Sequence, residues 1–445
     1  MSAKRDSINH IETRVAAIER EVREHVADRG RLAVIQAPPG SGKTWLLLKT
    51  VAAAFALRRR IAIATQTNAQ ANDICQRFAR DYPRLRVIRF ASGRGAQQEL
   101  GDSIEWMTET NELPTAECIV VATTAKWSLI NILSPFDVVF VEEAWQMGWA
   151  DFMLLGQVAE RFVLIGDPGQ ISPVVSVDVL RWETSPRPPH IAAPRVILED
   201  SRLRPEKWQL PATRRLPHDA AALVRQFYDF DFGATAQPGE RAILTSPGGK
   251  SAADRVIDAL TQNSVTALTI RTPDEGPPMH HDAELAKQAA ALVQRLLNRS
   301  ARVRIGSKTL ALGPEHIGMC GTHRVMNSEL ALALPRSLQG KVVVDTPERW
   351  QGLERPLMIL VHPLSGVLRP TSFDLETGRL CVMASRHTAG AIILTRDHVT
   401  ETLANCIPSA TQPVGRPDIS GRGLFDNLTF WSSLQERDQV LGADA

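Results

Sequence analysis

Cysteine is scarce in this 445-residue sequence: Cys75, Cys118, Cys320, Cys381 and Cys406 are an odd number, far apart, and no two form a CxxC pair. That spacing excludes a zinc ribbon or an iron–sulfur cluster of the usual kind and argues against a disulfide framework, leaving reduced, mostly buried thiols. Long apolar runs are missing as well. None approaches the roughly 18 residues that span a bilayer, and the opening MSAKRDSINHIETR has no apolar signal stretch, so no membrane partner is expected and the cytoplasm is the default compartment. Charge of one sign is also absent. Lys and Arg total 51 against 49 Asp and Glu, a net charge of +2, so the chain as a whole does not announce a polyanion partner. Any such partner has to be argued from local motifs.

What is present is the composition of a globular protein, 44% hydrophobic and 22% charged, in a chain long enough for two domains. Ile8, Ile11, Val15, Ile18 and Val22 recur at three- and four-residue spacing, which predicts an amphipathic helix within residues 1–29. From residue 31 the runs LAVIQ, IAIAT, CIVVAT, DVVFVEE and RFVLIGD alternate with helical patterns and read as buried parallel strands with functional groups at their carboxyl ends. Val179 to Pro194 is proline-rich and aperiodic, a surface connection near a domain boundary. A second set follows, with RAILTS, VTALTI, HIGMCG, KVVVDT, LMILVH and AIILTR as strands and DAELAKQAAALVQRLLNR as a helix. The tail carries Pro408, Pro413 and Pro417, then a short helix around FDNLTFWSSLQERDQVL. The expected fold class is α/β, with domains at 30–200 and 201–445.

LAVIQAPPGSGKTWLLLKT is a strand, a glycine-rich turn and a helix, the context in which a phosphate-binding loop is credible. Pro39, Gly40, Ser41, Gly42, Lys43 and Thr44 are its nucleotide-binding candidates. The glycines let backbone amides approach phosphate oxygens, and the helix amino end adds a favourable dipole. Lys43 would reach the β- and γ-phosphates of ATP, and Thr44 would ligate Mg2+. Ala37 stands where a first glycine is usual, which a negative φ permits. About a hundred residues on, SPFDVVFVEEAWQ supplies a strand ending in carboxylates: Glu142 for the metal, where aspartate is usual, and Glu143 to deprotonate water.

The motif series resembles superfamily 1 helicases, in particular their up-frameshift-type branch. EEAWQ is similar to the DEAxQ box, VLIGDPGQISPV to GDxxQLPP, and ATQTNAQANDI to the motif gripping a single-stranded backbone. LPATRRLPHDAAALVRQFY resembles the element opening the second domain, VDTPERWQGLE the TxxxxQGxE motif, and RLCVMASRH the closing VALTRA motif. All stand in the expected order over about 350 residues. The resemblance implies two tandem RecA-like domains with parallel sheets flanked by helices. It implies Gln170 as γ-phosphate sensor, Arg215 and Arg386 as arginine fingers, and Gly352 and Glu354 lining the nucleotide cleft. Arg214 replaces a tyrosine that often stacks on adenine; Met326 and Ser385 are further departures that remove no required charge.

For the single-stranded DNA or RNA that the resemblance implies, the candidates are Thr67, Asn68, Thr123 and Thr124, then His323, Arg324 and Thr346. Trp127 and Trp350 adjoin these motifs and read equally as stacking or core residues. Arg58 to Arg60 and Arg84, Arg86, Arg89 and Arg94 read as solvated faces, with a widened basic groove as the alternative. The expected activity is ATP-driven helicase or translocase action, 5′ to 3′, by a nearly bare motor core that an accessory protein would complement. Two alternatives stay open: a single-strand translocase or remodeller without unwinding, and a nucleotide-switched binding module with weak hydrolysis.

Overall fold

The structure, a computed structural model, describes residues 2–28, 30–93, 100–101, 103–131, 134–173, 179–182, 184–278, 280–407 and 419–442. Arg94 of the expected basic cluster, Val174 at the end of VLIGDPGQISPV and the prolines at 408, 413 and 417 lie outside the described residues. The chain forms two compact units, Met1–Pro168 with Ser172–Pro211, and Gly169–Ile171 with Ala212–Ala445. The expected boundary after residue 200 thus differs from the observed one at 211. Residues just past 200 stay with the first unit because their strand, Glu206–Gln209, pairs with the strand Leu32–Gln36 of its sheet.

The first unit holds an all-parallel eight-stranded sheet among the described residues. Its strands are β1 (Leu32–Gln36), β2 (Arg60–Thr65), β3 (Val87–Phe90), β4 (Glu105–Met107), β5 (Cys118–Thr123), β6 (Val138–Val141), β7 (Phe162–Gly166) and β8 (Glu206–Gln209), in the order β4-β3-β5-β2-β6-β7-β1-β8. Side chains alternate between faces along a strand, and here both faces are apolar. Ile61, Ile63, Val138 and Phe140 enter one core, and Ala62, Ala64, Val139 and Val141 enter the other. This is why the sequence shows continuous apolar runs instead of alternation.

Helix α1 (Ser2–Ala27) lays Ile18, Val22 and Val26 into the first core. Its last carbonyls, which have no partner within the helix, accept from arginines elsewhere: Arg59 donates to Val26 O at 2.5 Å and Ala27 O at 2.7 Å, and Arg161 to Val26 O at 2.8 Å. Arg60 is buried too, donating to Ser134 O at 2.6 Å with its guanidinium over Phe136. Arg89 is 1% exposed and bonds Asn72 and Asn68 at 2.9 and 2.7 Å. These three arginines correct the expectation of a solvated face or groove: each is consumed by internal acceptors. Only Arg58, Arg84 and Arg86 of the described members are exposed, and Arg86 pairs with Glu105 at 2.7 Å.

In the second unit, β9 (Ala212–Thr213) pairs with β10 (Gly233–Ala234). Strand β11 (Arg241–Leu244) differs from its expected place in a parallel sheet. It runs antiparallel to β13 (Arg302–Ile305), which pairs in turn with β14 (Lys308–Ala311). The main sheet is parallel, β16-β15-β17-β18-β12-β19, from β12 (Val265–Ile270), β15 (Ile317–Cys320), β16 (Val343–Asp345), β17 (Arg355–Val361), β18 (His387–Arg396) and β19 (Val440–Gly442). Again both faces are apolar: Met358, Leu360, Ala391 and Ile393 line one core, and Ile359, Val361, Ile392 and Leu394 the other. The helix Ala283–Asn298 forms as expected, capped by Asp282, whose side chain accepts from Leu285 N at 2.9 Å. The tail helix spans Ile419–Glu436, and β19 then returns to the sheet beside β12.

Trp127 and Trp350, adjoining the motifs, are fully buried, with indole N–H groups donating to Ile63 O at 3.0 Å and Met319 O at 3.1 Å. They are core residues and offer no face to a base. All five cysteines are free, four of them buried, and burial pushes the Cys75 thiol up to about 12.

At the carboxyl end of β18, Arg396 is 1% exposed and holds Asp282 through two 2.8 Å bonds, Glu284 at 2.8 Å and Arg271 O at 2.5 Å. Removing one partner of such a buried group strands the other charge. Arg396→Leu is therefore expected to destabilise the second unit by about 3–5 kcal/mol, read as a lower urea midpoint with an unchanged slope.

Candidate nucleotide and strand-binding sites

The first unit gathers its candidates on the carboxyl edge of the sheet, where β6, β7 and β1 are neighbours. β1 runs into the glycine loop and β6 into Glu142 and Glu143. Gly40 and Gly42 have φ of 68° and 91°, a left-handed region that side chains rarely adopt, and this is what requires glycine at both. Gly42 is the N-cap of α2 (Lys43–Ala56) and contributes no side-chain cap. The first-turn amides of α2 thus face a loop with no capping side chain, the arrangement that receives anions. Ser41 Oγ is buried and has no hydrogen-bond partner. Pro39 is buried beside it, and Ala37, which donates to Gly166 O at 2.9 Å, is not among the residues with positive φ.

Thr44 Oγ1 donates to Glu142 Oε1 at 2.7 Å, and Lys43 Nζ lies 3.4 Å from Glu143 Oε1. Glu142 is 5% exposed. Burial, with the Glu143 charge next, raises its carboxyl to about 7, against the opposing hydrogen bond from Thr44 and the charge of Lys43. Glu143 takes φ 49° and ψ 43°, left-handed for a residue with a side chain. Such backbone costs about 1–3 kcal/mol and persists where the surroundings impose it. The turn that imposes it, Ala144–Gln146, sits over Gly166, where an added Cβ would fall 2.8 Å from the Trp145 ring and 2.9 Å from Ala144 N.

The oxygen donors suit a hard cation. A hydroxyl and a carboxylate lie 2.7 Å apart, and the carboxyl's raised proton affinity is what a buried charge awaiting a counter-ion shows. The unpartnered Ser41 hydroxyl and the uncapped loop amides equally suit a phosphate.

Two strands over, β2 and β5 pair with Thr65 opposite Thr123. This register sets Thr67 and Asn68 beside Thr123 and Thr124. Thr67 caps α3 (Asn68–Asp81) in a reciprocal box with Gln70, Asn68 Oδ1 accepts from Arg89, and Thr123 caps the helix Thr124–Ser128. Thr124 is buried and donates to Thr65 O at 3.3 Å. Thr67 and Asn68 are exposed, Thr123 is half-buried, and Thr124 is directed inward.

In the second unit, β15 and β16 pair with Cys320 opposite Asp345, so His323 and Arg324 stand beside Thr346 on one sheet edge. Asn327 fixes the intervening turn by bonding Gly321 N and O, each at 2.8 Å. Arg215 Nε donates to Glu354 at 2.6 Å, and its Nη1 to Ser385 O at 3.3 Å. Arg386 is 3% exposed, with Nε donating to Val382 O at 3.2 Å. Arg215 thus joins Glu354 to the backbone just before Arg386, and Gly352, with φ 81°, makes the turn before Glu354. Gln170 belongs by contact to this unit: an added Cβ on Gly378 would meet its carbonyl at 2.5 Å.

The sequence gives no sign of a ring cluster beside His323. The His280 and His323 rings are 4.0 Å apart between centroids, His323 and Phe373 5.4 Å, and Arg379 lies 3.7 Å over Phe373. His280 lies in an aperiodic loop and Phe373 far along the chain, so no spacing connects them.

Among protein-family models, one described as an AAA domain matches residues 19–220. No curated protein sequence matches. Among solved structures, the PRRSV helicase is similar at 15% identity and a TM-score of 0.40, over 82% of this chain and 52% of that one. The Arterivirus nonstructural protein 10 helicase has 14% identity and a TM-score of 0.43, over 86% and 63%. The DUF1998 helicase MrfA bound to DNA and AMPPNP has 12% identity and a TM-score of 0.40, over 94% and 57%. The chain spans between 52% and 63% of the length of these three structures. The span matching an AAA domain takes in the glycine loop, Glu142 and Glu143.

Proposed function

We propose that this chain is an ATP-driven motor on single-stranded nucleic acid, a helicase or translocase of superfamily 1 and its up-frameshift-type branch, travelling 5′ to 3′. The observation that carries the ATPase half is the pairing of two loops: Thr44 with Glu142 at 2.7 Å and Lys43 with Glu143 at 3.4 Å. Branch and direction rest on the motif spellings.

Thr44 and Glu142 would hold Mg2+, which when bound shields phosphate charge and fixes the oxygens it touches. Lys43 and the amides of residues 40–44 hold the phosphate chain. Glu143 orients the attacking water and takes its proton at a carboxylate oxygen. Arg215 and Arg386 neutralise charge spread over the transferring group, with Gln170 in contact with its terminal oxygens. Glu354, bonded to Arg215, keeps that guanidinium oriented. Thr67, Asn68, Thr123, Thr124, His323, Arg324 and Thr346 would hold the strand from two sheet edges.

ATP hydrolysis measured with and without single-stranded DNA or RNA tests this reading, and stimulation by at least one polymer is expected. Lys43→Ala and Glu143→Gln are expected to lower the rate by about a hundredfold or more, and Arg386→Ala and Arg215→Ala by about a thousandfold. If neither polymer stimulates the wild type, the motor reading fails. Stimulation with no strand displacement on a tailed duplex selects translocation without unwinding.

Glu142 gives a pH dependence of stability. Unfolded, its carboxyl releases its proton near 4.5; folded, near 7. The folded state therefore holds the proton more tightly, and the cost of the buried charge is absent below the unfolded value, grows between the two and is complete above the folded one. Without nucleotide or magnesium, Glu142→Gln is expected to raise the thermal midpoint by a few degrees at about pH 8 and hardly at all at about pH 4.5. A midpoint gain that is equal at both pH values would contradict the assignment.

A further inference from the structure

The rings of the cluster in the second unit are none of the residues assigned to nucleotide chemistry, and two of them, His280 and Phe373, are exposed. Arg379 lies over Phe373 and also donates to the Phe373 carbonyl at 3.1 Å, which pins that residue. His323 follows at 5.4 Å and His280 at 4.0 Å from it. His323, half-buried, is the inner ring, whereas His280 is exposed and Phe373 retains 40% exposure. His280 takes φ 48°, a left-handed backbone that a ring-bearing residue adopts at a cost of about 1 kcal/mol. Strain held at the rim of a pocket is a recurring mark of a binding residue.

The location fits a strand. His280, His281, Thr322, His323 and Ser365 line one pocket at the carboxyl ends of β12, β15 and β17, the edge of a parallel sheet where ligands collect. The acids around it are already engaged. Asp282 is held by Arg396 at 2.8 Å, Glu329 by His281 at 3.0 Å, and Asp374 accepts from Thr371 at 2.7 Å. A strand arriving here meets ring faces, beside carboxylates that already have hydrogen-bond or ion-pair partners. Desolvation and the neighbouring His280 lower the pKa of His323, which favours an uncharged ring surface.

We propose that His280, backed by His323 and Phe373, is a stacking platform for a nucleobase of the bound single strand. This rests on the strand-binding reading given above and adds a contact to the base, where hydroxyls and amides reach only the backbone. Every base has a flat aromatic face, so such a platform holds a strand without reading its sequence, at about five- to 150-fold in affinity per base.

Binding of the full chain to a fluorescent oligothymidylate and to an abasic strand of equal length separates base from phosphate contacts. The wild type is expected to bind the base-bearing strand about tenfold tighter or more. His280→Asn removes the ring while suiting a left-handed backbone, and is expected to abolish that preference; Phe373→Leu is expected to reduce it, and His280→Tyr to retain it. Equal wild-type affinity for the two strands overturns the platform while leaving strand binding intact. Full preference retained in His280→Asn overturns it as well. A wild type that binds neither strand overturns the platform and the proposed motor together.

Discussion

A carboxylate sealed inside a protein needs a positive partner or a proton, and Glu142 is placed where neither is permanently supplied. Thr44 offers one hydroxyl hydrogen, Lys43 is engaged with Glu143, and a second carboxylate lies next in sequence. The surrounding construction keeps this imbalance in position. Gly166 clears room for the turn after Glu143, the backbone of Glu143 is bent into a region that side chains avoid, and two left-handed glycines carry the loop past both acids. Each local cost is supported by the apolar packing of β1, β6 and β7.

The two units solve one architectural problem twice. In both, parallel strands buried on two faces leave only their carboxyl ends for chemistry, and neighbouring strands set paired motif residues side by side. Thr65 opposite Thr123 does so in the first sheet, and Cys320 opposite Asp345 in the second. The edges differ in what they collect. The first gathers acids and an uncapped glycine loop; the second gathers Arg215 against Glu354, and rings around His323.

Legibility in the sequence follows unbroken apolar spelling: β3 is buried at every position, yet its Arg89 interrupts the run. β1, β2, β5, β6 and β7 were readable because strands covered on both faces are spelled as unbroken apolar runs. β3, β4 and β8 were not, since VIRF, EWM and EKWQ are short and mix charge with apolar residues. RAIL carries the spelling of a parallel strand but lies antiparallel in a separate small sheet, because strand composition does not encode direction. Arginine misled for a related reason. In Arg59, Arg60 and Arg89 the long apolar stem packs inside while the guanidinium finds carbonyl and amide acceptors, and no local pattern distinguishes that from a solvated face. Motif tryptophans were ambiguous until Trp127 and Trp350 were found donating to core carbonyls. The rings of His280, His323 and Phe373 come together only through the ends of separate strands, which no one-dimensional spacing conveys.

The arginines that close α1 also bear on how the chain comes to be folded during synthesis. Arg59 lies 33 positions beyond the carbonyl it satisfies, and Arg161 lies 135 beyond the same one. At about 5–20 residues per second of translation, the end of α1 leaves the ribosome well before Arg161 has been made. During that interval Val22 and Val26 have no completed sheet to cover them, and of the two arginines at the helix end only Arg59 has been made. The cap on the end of α1 is therefore complete only once Arg161 has been made.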